Sequence, residues 1–497
     1  MHDGLSLLYT EEATESAVGK EALYRLSLDK SIPYFCSDVR ESAAFTEAIC
    51  NLPRTADGVR YRQAILRDLL ERSELLSELH AHLEKLSRYS AEYERERQEI
   101  YRMRRTGGQG QSFAGAASLV SVSALTLKRV LLLLGAMDDL LGTCSFASEG
   151  LRDLQADIRR IARGEDANAL LVLCSRFEQY TTVGQLDFRL ALNASGRICA
   201  CDLIPHNAIR AAFAAPKKKK LFSRKQTEAE PAGVILDGQS VELQEEMYIA
   251  AVVSLAGQFG EIARFLFDRY KHLTREVLFY KAAVKYCYRL RNSGVATCFP
   301  TVAADGAFSC ENAYDLLLLL TASPAAVVPY SVEVDAARGT ILFGDNSSGK
   351  TTFLRTVGVL QMLAQAGLPV PAARLTFSPC SRLLTYYAEA EKAEQGAGRF
   401  EQEVREFRAM FDALVPGTLV LLNEPFQSTA YDEGAKGLAD ILAYFSACGV
   451  RWILVSHMHQ LQKHVRADAA FLHTTKGYGI EREGCCSDLV GRCLLQL

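Results

Sequence analysis

The chain has 497 residues, 56 basic and 59 acidic, a formal net charge of −3, and 49% hydrophobic against 23% charged residues. That length exceeds one small domain, and the composition is that of folded globular protein, which excludes a disordered chain and a polycation. Any nucleic-acid binding has to come from a local basic patch. The longest apolar run, Val130 to Met137, falls far short of the roughly 20 residues that span a bilayer. Met1-His2-Asp3-Gly4 carries no signal pattern. The 14 cysteines show no metal-ligand spacing, although Cys199 and Cys201 share a strand face and Cys485 adjoins Cys486. A cytoplasmic protein with reduced thiols and no membrane partner is the expectation.

From about Arg60 to Arg105 apolar residues recur at helical steps. Ile65, Leu66, Leu69, Leu70, Leu75, Leu76, Leu79, Leu83 and Leu86 form one stripe on a charged background. Gly107, Gly108 and Gly110 break it. Further helical blocks are predicted over about Leu119–Leu141, Ile158–Tyr180 and Leu243–Arg291. Between the last two, Phe188 to Leu203 alternates apolar and polar (Phe188, Leu190, Leu192, Ile198) around Asn193-Ala194-Ser195-Gly196, a hairpin pattern. Lys217, Lys218, Lys219 and Lys220 follow, then Arg224 and Lys225, before a loop from Thr227 to Gly233. A solvated loop without a partner and a phosphate-binding patch explain this charge run equally well.

From about Val327 the pattern turns α/β. Short apolar strands at Thr340–Phe343, Leu419–Leu422 and Trp452–Val455 alternate with helical stretches, which predicts a mostly parallel sheet covered by helices. The first strand runs into Gly344-Asp345-Asn346-Ser347-Ser348-Gly349-Lys350-Thr351, a P-loop of the form G-x-x-x-x-G-K-[ST], and a helix from Thr352 to Gln365 follows. Glycines let the backbone N–H groups turn onto phosphates, and the helix N-terminus adds partial positive charge. The loop and Thr352 are expected to bind ATP, with Lys350 on the β- and γ-phosphates and Thr351 holding Mg²⁺. The second strand ends in Asn423-Glu424, where such ATPases keep an acid that supports the metal, followed by a base. Glu424 is placed to orient the attacking water. Asn423 offers a neutral oxygen to the Mg²⁺ shell, with a weaker field than a carboxylate. The third strand ends in Ser456-His457, and His457 at the carboxyl tip of a core strand is expected to bond the γ-phosphate or the water. His80, His82, His459 and His464 carry no assigned role.

The run Thr352-Phe353-Leu354-Arg355 and then Leu363 to Ala372 resembles the ATPase domain of the MutS family of DNA mismatch-repair proteins, part of the ABC-type ATPase class. Val328-Pro329-Tyr330-Ser331-Val332 is similar to that family's V-P-N-D-V segment. Gly398 to Glu403 falls where it carries S-T-F-M-x-E, Asn423-Glu424 where it carries D-E, Ser428-Thr429 in the loop beyond, and His457 matches its T-H. More weakly, Arg60-Tyr61-Arg62-Gln63 and the Leu stripe look like the start of the MutS core, and the β-rich insertion occupies the place of the MutS clamp. The resemblance therefore implies an α + α/β chain. On that resemblance residues 1–325 would form a long-helix lever or core domain with a small β-rich, basic, clamp-like insertion at 184–242, and residues 326–497 a P-loop ABC-type ATPase domain. It further implies a homodimer whose second subunit completes each ATP site, with Arg399 and its neighbours facing the other chain's nucleotide.

The function so implied is a DNA-binding ATPase that opens and closes a helical clamp on duplex or branched DNA, with Lys217 to Lys220, Arg224 and Lys225 on the DNA backbone. The departures weigh too. The resemblance begins at the core, so mismatch recognition through a stacking aromatic is not expected of these residues. About 40 residues follow His457, little room for the family's helix-turn-helix extension. Gly398 replaces the signature serine, and with Asn423 this predicts slow hydrolysis. Two other readings stand beside it: a nucleotide-dependent binding module whose hydrolysis is vestigial, and a MutS-like ATPase directed to RNA or ribosomes.

Overall fold

The computed structural model describes residues 5–9, 18–106, 111–183, 187–192, 198–204, 238–303, 306–334, 339–387, 399–426, 431–465, 469–475, 478 and 480–482. They form two compact units. The first gathers residues 1–78, 146–153 and 273–497; the second gathers 79–145 and 154–272.

Three of the predicted helical blocks are each two helices. The stripe from Arg60 divides into Ala56–Glu71 and Ser73–Thr106 at Arg72, whose φ of −140° leaves helical space. The block around Ile158 divides at Gly164 into Glu149–Arg163 and Glu165–Val183, and the last divides into Gly238–Tyr270 and Leu273–Arg291. A hydrophobic period carries through a break of one or two residues, so periodicity alone misses it.

The second unit is built from long helices. Gln111–Gly142 packs along Gly238–Tyr270 and Glu165–Val183. Buried Tyr93 places its hydroxyl 3.4 Å from Ser123. Asp157 accepts from Arg160 at 2.8 Å, from Arg269 at 2.8 Å and from Tyr270 at 2.9 Å. The hairpin pattern is present as β1 (Asp187–Leu192) paired antiparallel with β2 (Ile198–Ile204). The basic cluster from Lys217 to Lys220, with Arg224 and Lys225, lies outside the described residues. Counted over a whole helix rather than an unbroken run, Gly115–Gly142 is long and apolar enough to cross a bilayer, with mean hydropathy 1.8 over its most apolar stretch and 56% of that stretch buried within the protein.

The first unit holds two sheets. Four short strands, β3 (Thr301–Val302), β4 (Phe308–Ala313), β5 (Tyr330–Val334) and β7 (Arg374–Phe377), pair in the order β3-β7-β4-β5. The larger sheet comprises β6 (Gly339–Phe343), β8 (Leu383–Tyr387), β9 (Leu419–Asn423), β10 (Arg451–Ser456), β11 (Ala469–Thr474) and β12 (Ile480–Arg482), in the order β12-β11-β6-β10-β9-β8. All its pairings are parallel except β11 with β12. Helices cover both faces, so the central strands are near-continuous apolar runs. On one face Ile341, Phe343, Val420, Leu422, Trp452 and Leu454 share a core with Leu438, Leu442 and Phe445 of the helix Tyr431–Ala447.

Sequence character changes at about residue 326, whereas compactness joins residues 1–78 and 273–325 to the α/β sheet. The contacts give the reason. Val18 forms a bridge with Leu383 at the sheet edge, and Arg25 donates to the Thr385 carbonyl and pairs with Glu406 at 3.3 Å. Glu276 accepts from the Leu7 N–H at 2.6 Å, and Tyr286 donates to the Pro369 carbonyl at 3.0 Å. Fully buried Gln365 donates to the carbonyls of Pro53 at 2.9 Å and Cys380 at 2.8 Å, while its Oε1 accepts from the Cys380 N–H at 3.0 Å. Gln365→Leu strands all three buried groups. The expected loss is about 3 kcal/mol or more, since each unpaired buried polar group costs about 1–3 kcal/mol, read as a lower midpoint in thermal unfolding of the full chain.

Candidate functional site

Parallel register brings the three predicted site segments together. Leu342 pairs with Val455, and Val455 with Asn423, so β6, β9 and β10 end at one edge of the sheet. The Glu424 N–H donates to the Val455 carbonyl at 3.0 Å and holds that residue beside the β10 tip.

Gly344 to Gly349 wrap from β6 into the helix Lys350–Gln365. Gly349 caps that helix at φ +90°, and Ser347 also lies in the left-handed region at φ +63°. A methyl group on Gly344 would sit 2.0 Å from the Thr474 Oγ1, so only glycine lets the loop start this close to β11. The first helical N–H groups, from Lys350 to Thr352, have no partner within their own helix and face the loop. Asp345, Asn346 and Ser347 are exposed, and the buried Ser348 Oγ has no hydrogen-bond partner among the described residues. Arg355 in the same helix pairs with buried Asp315 at 2.7 Å, and Asp315 in turn caps the helix Leu316–Thr321 through the Leu318 N–H at 2.9 Å. That contact fixes the helix against the smaller sheet's connections.

Lys350 is only 4% exposed. Its Nζ donates to the carbonyls of Gly344 and Asp345, each at 2.8 Å, and lies 3.2 Å from Glu424 Oε1. The other Glu424 oxygen is 3.9 Å from His457 Nδ1. Glu424 itself sits at φ +49°, an uncommon conformation for a non-glycine residue. Thr351 Oγ1 donates to Asn423 Oδ1 at 3.0 Å. The residues fit the nucleotide and the metal. The lone Ser348 hydroxyl and the helix N–H groups suit phosphate oxygens, and the Thr351 hydroxyl and Asn423 amide supply oxygen donors for a hard cation that retains several waters.

All the predicted P-loop residues, with Asn423, Glu424 and His457, thus converge. Gly398 and Ser428-Thr429 lie outside the described residues, as does the basic cluster. Glu403, four positions into the helix Arg399–Asp412, is buried and accepts from Tyr386 Oη at 3.0 Å. His459, left without a role above, stacks on Phe343 at 5.2 Å, and His473 stacks on the same ring at 5.6 Å. Sequence reasoning also missed two tyrosines beside Gly349. Tyr330 Oη is 3.4 Å from the Gly349 carbonyl, and Tyr330 Oη and Tyr478 Cδ1 each lie 3.2 Å from where a methyl group on Gly349 would stand. Burial pushes the Tyr330 phenol up to about 12, so it stays a donor. No spacing rule links either tyrosine to the P-loop; only the fold does.

The description "MutS domain V" matches residues 340–476, a span that holds every described member of this cluster except the two tyrosines. The curated DNA mismatch repair protein MutS of Granulibacter bethesdensis is 30% identical over 179 residues, covering 35% of this chain and 19% of that protein. Its counterpart from a Synechococcus is 33% identical over 142 residues, covering 27% of this chain and 16% of that protein. The Endonuclease MutS2 of an Anaeromyxobacter is 30% identical over 172 residues, covering 33% and 21%. The chain therefore matches about a fifth of the length of these relatives. Residues 340–476, which carry the P-loop and the tips of β9 and β10, thus match MutS domain V, and the chain is similar to both MutS and MutS2 proteins.

Proposed function

We propose that the chain is a MutS-type ATPase that couples ATP binding and hydrolysis to binding of duplex or branched DNA. The observation that carries this reading is the position of Glu424, between Lys350 and His457 at the lip of the phosphate loop. The triphosphate would lie over the loop, and its charge would draw Lys350 from the Gly344 and Asp345 carbonyls to the β- and γ-phosphates. That movement frees Glu424 to orient a water toward the γ-phosphate, while His457 bonds the γ-phosphate or that water. Mg²⁺, when bound, neutralises phosphate charge, and Thr351 with Asn423 would hold it. The relatives' printed names, DNA mismatch repair protein and endonuclease, support a nucleic-acid substrate. The long helices of the second unit would be the levers, and Lys217 to Lys220 with Arg224 and Lys225 the contact to the DNA backbone, independent of sequence and sensitive to salt. A second copy of the chain would complete each ATP site through the segment around Gly398 and Arg399.

Asn423 favours a second reading, a nucleotide-gated binding module with vestigial hydrolysis. Its amide places no charge where the metal needs one.

Lys350→Ala is expected to weaken ATP binding by about 100-fold or more, as loss of a buried charge contact to phosphate costs several kcal/mol. Glu424→Gln is expected to retain or tighten ATP binding, because Lys350 loses its competing partner, while steady-state turnover falls by about 100-fold. A wild-type rate already at the Glu424→Gln level, with ATP bound tightly, would replace the ATPase by the binding module. Neutralising Lys217 to Lys220 together is expected to weaken duplex binding at 100 mM salt or so by tenfold or more and to flatten its salt dependence. Binding that is unchanged and indifferent to ATP would remove the DNA clamp, and RNA outcompeting DNA would redirect it.

A further inference from the structure

We infer that Tyr478 is the platform on which the base of the bound nucleotide stacks, an inference that rests on the nucleotide site proposed above. The sheet order fixes the direction of the nucleotide. Glu424 and His457, the groups placed for the γ-phosphate, leave β9 and β10, both on one side of β6. A triphosphate anchored on the loop at the end of β6, with its γ end toward β10, sends its nucleoside end to the opposite side. The neighbour there is β11.

Thr474, the last residue of β11, and Tyr478 beyond it lie against two glycines of the phosphate loop. Thr474 fills the space at Gly344, and the Tyr478 ring meets Gly349, its Cδ1 lying 3.2 Å from where a methyl group on that glycine would stand. Tyr478 is 49% exposed, so the ring leans on the phosphate loop and leaves the rest of its surface open. Tyr330, on the same flank, is buried and engaged with the Gly349 carbonyl, so it has no face to offer. Tyr478 also holds φ +67°, with its N–H donating to the Thr475 carbonyl at 3.1 Å. An aromatic residue adopts the left-handed region only where its surroundings hold it there. A half-open aromatic ring beside a phosphate loop, on the nucleoside side, suits a planar base. Every base has a π-face, and stacking on an aromatic side chain is worth about 1–3 kcal/mol.

The test compares equilibrium binding of ATP and of inorganic tripolyphosphate, both with Mg²⁺, to the full chain as wild type, Tyr478→Ala and Tyr478→Phe. The expected result is a loss of ATP affinity of between about 5- and 100-fold in Tyr478→Ala, tripolyphosphate affinity unchanged, and near wild-type behaviour in Tyr478→Phe. Unchanged ATP affinity in Tyr478→Ala overturns the platform and leaves the nucleotide site standing. An equal loss for ATP and tripolyphosphate also overturns it, because the ring then only shapes the loop. A wild-type chain that binds neither ligand defeats the nucleotide site itself, and the platform falls with it.

Discussion

The first unit depends on the parallel register of β6, β9 and β10. Successive parallel strands with Leu342, Val455 and Asn423 at one level have to release their loops at one edge, and in an open α/β sheet that edge is where ligands bind. Apolar runs enforce the register, because each central strand is buried on both faces and any slip would carry a polar loop residue into the core. Gly344, Glu424 and His457 are distant in sequence and become neighbours for this reason alone.

The charge at that edge follows from burial. An ammonium group as enclosed as that of Lys350 requires partners, and the chain supplies two loop carbonyls and Glu424. A polyphosphate is a stronger acceptor set than any of them, so the residues that hold the Lys350 ammonium here are the ones a nucleotide would rearrange. Glu424 and Phe426 both sit at positive φ, at +49° and +59°, and Glu424 is held by the Val455 carbonyl rather than by strand pairing beyond it. Conformations of this kind persist where the surroundings over-determine them, which is common at functional sites.

The helical sequence serves two structures. Part of it closes around the α/β sheet, through Arg25 on the Thr385 carbonyl, Gln365 on the Pro53 carbonyl and Glu276 on the Leu7 N–H. Buried Arg62, donating to the carbonyls of Leu8, Ala48 and Asn51, binds the first segments to one another. The rest forms a unit of its own around Gln111–Gly142, with Asp157 gathering Arg160, Arg269 and Tyr270. The polar contacts in both cases join residues far apart in the chain, each satisfying a buried group that would otherwise cost stability.

What the sequence by itself determined is the chemistry that lies within short stretches. The P-loop, the strand that precedes it, Asn423-Glu424 and Ser456-His457 were legible because local spacing and apolar runs encode them directly. The hairpin at Phe188 to Leu203 was legible for the same reason. The helix breaks at Arg72 and Gly164 were not, since an apolar stripe continues in phase across a single irregular residue. Only the tertiary structure decided which helices close on the sheet, that Glu424 stands against Lys350, and that Tyr330 and Tyr478 flank Gly349. A hydrophobic pattern states that a residue is buried, and a tyrosine that it can stack or donate, but neither states against what. That choice is made by strand order and register, which are properties of the whole sheet.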